Sequence, residues 1–222
     1  MKPTPLTVAA IVAVAVTYVR AIFFTPYEAV QGPAQKILYV HAPAAWVAFL
    51  AFFFVALASG LYLWLREDRL DRVAESSAEV GVVFTTVVLV SGPLWGKPVW
   101  GAYWTWDARL TLTLFLWFIY VGYMVLRGAI DDRPMRARYS AVLGILGAML
   151  IPFIHLSVYL FRTLHPQPIL MKPSAPSLPG EMLATLLLAF GSFTLLYVAL
   201  LRARYRYAVE RDGAHPPGAQ VA

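Results

Sequence analysis

Trp95-Gly96-Lys97-Pro98-Val99-Trp100-Gly101-Ala102-Tyr103-Trp104-Thr105-Trp106-Asp107 carries four of the chain's seven tryptophans in thirteen residues. Gly96, Pro98 and Gly101 interrupt the run, which argues against one continuous buried helix. From Pro98 onward, Trp100, Tyr103, Trp104 and Asp107 recur at i, i+3, i+4 and i+7. That spacing predicts one face of a short helix, with Pro98 in its first turn. Trp and Tyr favour the depth where a membrane helix meets the headgroups, so an aromatic belt is one reading. The other is a dense aromatic plate closed by an acid and a base, Asp107 and Arg109. Such a plate suits a large, flat, apolar ligand with charged edges.

Working outward, the 222 residues are 60% hydrophobic and 14% charged, with a mean hydropathy of +0.66. A water-soluble globule is excluded. The absence of cysteine removes disulfides, thiol chemistry, zinc-thiolate sites and a C-x-x-C-H attachment of haem. The net charge of +6 does not indicate nucleic acid, because the charges sit in short clusters between apolar runs, as membrane topology requires.

Six apolar segments, about residues 6–24, 43–65, 77–94, 110–126, 139–161 and 181–201, are each long enough to cross a hydrocarbon core with roughly 17–25 residues. The expected fold is all-α, a polytopic membrane protein with a short outward-facing amphipathic tryptophan-rich segment. Residues 1–210 form one membrane domain and 211–222 a disordered cytoplasmic tail. The first segment reads as a retained span rather than a cleaved signal. Twelve of the eighteen lysines and arginines fall on the side of the two termini. The basic-inside tendency then makes both termini cytoplasmic and turns the plate outward.

Two of the four histidines, His41 and His165, lie at outer boundaries. Pro43 in the first turn of the second span would hold His41 just outside that helix. Pro166 biases His165 towards extended backbone in a loop. Each alone reads as an interfacial polar residue or as a ligand. Together, flanking the plate, two neutral imidazoles could take the axial positions of a haem iron while tryptophans cover the porphyrin. Lys97, Arg109 and Arg162 are then available to its propionates. His155, within the fifth span, reads as structural or as a group that orients a ligand, and His215 lies in the tail. There is no P-loop, and no acid in mid-span for an ion relay.

The run from Trp95 through Asp107 to Thr111 closely resembles the tryptophan-rich signature of the haem-handling family of cytochrome c maturation (CcmC/CcmF/CcsA). The six spans and short chain look like its haem exporter C branch, CcmC. Tyr39-Val40-His41-Ala42-Pro43-Ala44-Ala45-Trp46 is similar to that branch's first histidine motif, and Thr163-Leu164-His165 to its second. Ile154-His155-Leu156-Ser157-Val158 matches the surrounding pattern. The resemblance implies haem b held non-covalently at the periplasmic face of the bacterial inner membrane, with His41 and His165 as axial ligands. Trp95, Trp100, Tyr103, Trp104, Trp106, Asp107, Arg109, Lys97 and Arg162 would surround it. It further implies presentation to a haem chaperone, CcmE, beside a small membrane protein, CcmD, and an ATPase pair, CcmA and CcmB. Such a protein is a delivery scaffold of an ABC-type complex rather than an enzyme. A haem channel and a haem lyase acting on apocytochrome c are the alternatives. Tyr103 departs from the family's W-G-x-W-W pattern, where tryptophan is usual, but keeps a flat ring.

Overall fold

The computed structural model describes residues 3–214 apart from 171 and 173. Its helices are α1 (Pro5–Val19), α2 (Leu38–Leu65), α3 (Asp68–Trp100), α4 (Ala108–Ala129), α5 (Arg133–Ala148), α6 (Leu150–Leu160) and α7 (Gly180–Ala214). A π-turn, Arg20–Phe24, extends α1, and a 3-10 turn, Pro33–Ile37, leads into α2. Among the described residues, six helical segments are long and apolar enough to cross a membrane, with α5 and α6 together making one of them. α3 and α7 outrun the apolar segments that announce them, because their charged flanks, such as 68–76 and 202–213, stay helical beyond the hydrocarbon.

In lipid, helix association depends on close approach and interhelical hydrogen bonds rather than on burial of apolar surface from water. The α2–α3 hairpin at the centre meets both demands. Ala44, Ala48, Ala51, Val55 and Ala58 form a buried stripe along α2. At its far end Arg66 turns the chain in the left-handed conformation (φ 60°), its N–H donating to the Tyr62 carbonyl. Ser77 of α3 donates to the Ala51 carbonyl at 2.8 Å and so accepts the Tyr197 hydroxyl of α7 at 2.8 Å. Tyr120 of α4 donates to the Gly144 carbonyl of α5 at 2.7 Å. Around the hairpin, α7 packs on α2 and α3, α1 on α7, and α4 and α5 close the other flank.

Gly81 of α3 is one place where a side chain has no room. A Cβ there would meet Phe52 Cε1 at 2.5 Å. Phe52 cannot withdraw, because it stacks on Tyr120 with centroids 3.7 Å apart. Gly81→Ala should therefore destabilise the protein by about 1–3 kcal/mol through overpacking, measured as thermal unfolding in detergent. Gly191→Ala, which meets nothing within 4 Å, is the control and should be near neutral.

The two ends of the bundle differ. At the arginine end, Arg127 of α4 donates to both Asp71 oxygens (2.6 and 2.9 Å) and lies 3.1 Å from Glu75. Arg211 of α7 donates to both oxygens of Glu75 at 2.8 and 2.9 Å. Three helices are thus tied through Arg127, Asp71 and Glu75, which are almost out of water, and through Arg211, which is partly exposed. Arg211 was expected in a disordered tail, but it is helical and paired here; His215 and the rest of that tail lie outside the described residues. The opposite end carries the tryptophans.

Candidate functional site

The predicted short helix from Pro98 to Asp107 does not form. α3 instead runs through Gly96 and Pro98 to Trp100, and Gly101 ends it at φ 79°, its N–H donating to the Lys97 carbonyl at 3.0 Å. Residues 102–107 then cross irregularly to α4. Gly96 serves close packing rather than helix breaking: a Cβ there would meet Trp100 Cε3 at 3.1 Å and the Ala102 carbonyl oxygen at 3.2 Å. His41 likewise lies inside α2 and not before it, because the Pro33–Ile37 turn flows straight into the helix at Leu38. Pro43 is tolerated near the start because only one backbone hydrogen bond, to the Tyr39 carbonyl, is lost.

These elements surround a cavity of about 1000 Å³, at the upper end of the range of about 300–1,000 Å³ for small-molecule sites. His41, His165, Trp95, Trp100, Tyr103, Trp104 and Arg109 all line it, and His155 joins them from α6. The loop after α6 crosses it with residues 164–170. The other residues singled out in the sequence stand outside the lining. Trp106 is 77% exposed and meets Trp104 edge-on at 5.7 Å. Lys97 donates to the Gly101 carbonyl at 3.0 Å and covers the Tyr103 ring at 5.4 Å. Asp107 caps α4, accepting the Leu110 N–H at 3.1 Å. Arg162 is exposed in the loop.

His41 and His165 face one another with ring centroids 6.4 Å apart. Their hydrogen bonds fix their tautomers. His165 Nδ1 lies 2.8 Å from the Pro166 carbonyl, which can only accept, so Nδ1 holds the proton. His41 Nδ1 lies 2.9 Å from Ser91 Oγ. Ser91 commits its single proton to the Val87 carbonyl at 2.6 Å, so it accepts from His41. Both Nε2 atoms therefore carry bare lone pairs, the arrangement that prepares an imidazole to bind a metal. Enclosure and the nearby Arg109 charge push the His165 pKa down to about 3, which keeps the ring neutral. Ser91 was not apparent as a participant, although a serine–glycine pair in an apolar run was a visible signal. Gly92 beside it makes room for the ring, since a Cβ would meet His41 Cε1 at 3.2 Å.

Aromatic walls flank both imidazoles. Trp95 stands edge-on to His41 at 5.8 Å, and Trp100 lies 6.4 Å from His165 at 56°. The Trp95 N–H is fixed by Gln31 at 2.9 Å. Arg109 Nη1 and Trp104 Nε1 are buried donors without a hydrogen-bond partner among the described residues. A buried unsatisfied donor costs about 1–3 kcal/mol, which a ligand carboxylate would relieve. Two imidazoles across a metal, with bonds of about 2 Å each and about 1 Å from nitrogen to ring centre, place the centroids about 6 Å apart. A haem, which supplies four equatorial nitrogens of its own and carries carboxylates on one edge, fits this donor set.

Comparison with known proteins finds matches over most of the chain. A family model described as "Heme exporter protein C" matches residues 2–217. The chain is 40% identical to the heme exporter protein C of Bradyrhizobium diazoefficiens, over 84% of this chain and 71% of that one. It is 36% identical to that of Haemophilus influenzae, over 93% and 84%. The match to that of Escherichia coli K12 is 38%, over 72% and 65%.

Proposed function

Because this chain belongs to the heme exporter protein C family, we propose that it holds haem b non-covalently between His41 and His165 and presents it for covalent attachment to a haem chaperone, CcmE. The observation that carries this reading is the pair of apposed imidazoles, each with its Nδ1 proton committed and its Nε2 lone pair free. When bound, the haem supplies an iron with two open axial positions. The chain's own residues do the rest. Trp95 and Trp100 pack beside the imidazoles, Trp104 walls the cavity, and Arg109 offers its unpaired Nη1 to a carboxylate. A guanidinium can grip a carboxylate through two parallel N–H bonds. Lys97 and Arg162, outside the lining, are left to steer a carboxylate partner at the rim.

The same reading makes the protein a delivery scaffold with CcmD and the CcmA/CcmB ATPase as partners, both termini in the cytoplasm and the cavity at the periplasmic face. The basic asymmetry supports that orientation, since the loop at 130–132 lies among arginines and the loop at 174–179 does not. A periplasm-active reporter inserted at Ser177 should be active, and one inserted at Asp131 silent. The reverse pattern would put the cavity in the cytoplasm and end the proposal.

Holding haem and handing it on separate at Trp106, which is exposed and off the cavity. An exposed tryptophan beside a site is a natural anchor for a partner. Trp106→Ala should leave haem per molecule unchanged and lower covalent loading of the chaperone in membranes carrying both proteins. Asp107→Asn, which keeps the helix cap, should leave protein level and haem content intact. Normal loading by Trp106→Ala would move the docking surface elsewhere.

A further inference from the structure

The cavity does not stop at the histidines. Along α2 its lining continues from His41 through Ala45, Phe49 and Phe53 to Ala56, a single stripe at helical spacing. At about 1.5 Å per residue the stripe is about 22 Å long, against a hydrocarbon core of about 30 Å. It therefore passes the middle of the bilayer. The facing wall is made by Ile145 and Ala148 of α5 and by Met149, Pro152 and His155 where α5 gives way to α6. Phe53 and Met149 line the cavity and are nonetheless 56% and 58% exposed. At this depth an exposed lining residue means that the cavity opens sideways onto lipid.

The opening has a local cause. α5 packs on α2, but the helix breaks at Met149, and Pro152 lacks the N–H that would bond the Ala148 carbonyl. α6 then leans onto α4, leaving α2 uncovered beside the joint. On the other flank Trp46 ties α2 to α7, its indole N–H donating to Thr194 at 3.0 Å. At the tryptophan end the cavity is crossed by residues 164–170 and by Trp95 held to Gln31. The aqueous end is thus only partly covered, since Tyr103 and Leu164 line the cavity there and are exposed, and the lipid side is a second opening, at mid-bilayer depth.

We propose that haem reaches the histidine pair sideways from the bilayer, through a window between α2 and the α5–α6 joint. The occupant follows from what the cavity joins: an apolar, lipid-facing trough at one end, and two bare imidazoles with the buried Nη1 of Arg109 at the other. An amphipathic macrocycle dissolved among acyl chains, its carboxylates towards the headgroups, would meet the apolar trough first and the polar partners last. This route rests on the haem-holding function proposed above.

The test uses the natural absence of cysteine. Met149→Cys, Phe53→Cys and, as a lipid-facing control off the cavity, Val12→Cys are labelled with a bulky maleimide in the full-length protein. The proteins are reconstituted in phosphatidylethanolamine–phosphatidylglycerol vesicles preloaded with hemin, and the low-spin absorption is followed in time. Labels at 149 and 53 should slow uptake about tenfold, equivalent to about 1.4 kcal/mol on the barrier, with the same final spectrum, and the label at 12 should not. Uptake at the unlabelled rate would overturn the lateral route and leave the histidine site standing. Displacement of bound phospholipid without a change in rate would mark the trough as a lipid seat and equally overturn it. Failure of the unlabelled protein to give any His41- and His165-dependent spectrum would overturn the site and the route together.

Discussion

His41→Ala and His165→Ala should each abolish the low-spin haem spectrum of the purified protein while leaving its amount in the membrane unchanged. The two rings are held by independent means, one through Ser91 to the Val87 carbonyl and the other through the Pro166 carbonyl. Neither substitution thus disturbs the other imidazole, but a low-spin iron needs both. Both rings are only part-buried; His165 bonds only within its own loop, and His41 adds a single hydrogen bond to an α2–α3 hairpin already packed along its length, so the fold should survive. Ser91→Ala supplies the graded comparison. It removes only the acceptor that fixes the His41 tautomer, so it should retain the low-spin spectrum and weaken haem binding about 10–100-fold. Unchanged spectra in both histidine variants would remove the central claim.

Arg127→Ala should act oppositely, on the fold and not on the ligand. Arg127 is 7% exposed and supplies both hydrogen bonds to Asp71 and one close contact to Glu75. Glu75 would keep Arg211, whereas Asp71 would be left as a charge without its cation. Removing one member of a buried pair costs about 3–5 kcal/mol, chiefly the penalty of the orphaned partner. The variant should show a large loss of thermal stability in detergent and reduced accumulation. Arg127→Met with Asp71→Asn should recover much of it, because no charge is then stranded. Arg204→Ala is the surface control, since its pair with Glu79 is 41% and 26% exposed and should be worth about 0–1 kcal/mol. Equal effects of Arg127→Ala and Arg204→Ala would show that the cluster does not brace the bundle.

Apolar length and basic clustering were enough to read six spans, because both are averages over many residues and tolerate local errors. Prolines misled where a single residue was asked to mark a boundary. Pro43 and Pro98 each sit within a helix, since one missing hydrogen bond costs less than the packing that continues past it. Of the tryptophans read as a plate, Trp95, Trp100 and Trp104 line the cavity and Trp106 does not, and their shared helical face was not real: Gly101 in the left-handed region redirects the chain between Trp100 and Trp104. The buried charge cluster was missed for another reason. Asp71, Glu75 and Glu79 recur every four residues and so share a face of α3, yet charges near a span end were counted only for topology. Their partners lie 56 and 136 residues away, beyond any local pattern.

The two imidazoles also differ in what they are fastened to. The proton acceptor for His41 belongs to a neighbouring helix, so that ring is part of the frame and cannot shift without disturbing the α2–α3 hairpin. The acceptor for His165 is the carbonyl of the very next residue, so ring, proton and acceptor form a self-contained piece carried on the loop. If the pair holds haem as proposed, a pull on that loop would draw His165 away with its tautomer already set, while His41 stayed in place. An asymmetry of anchorage would then become a direction of release, with the loop side the one to open on the function proposed above.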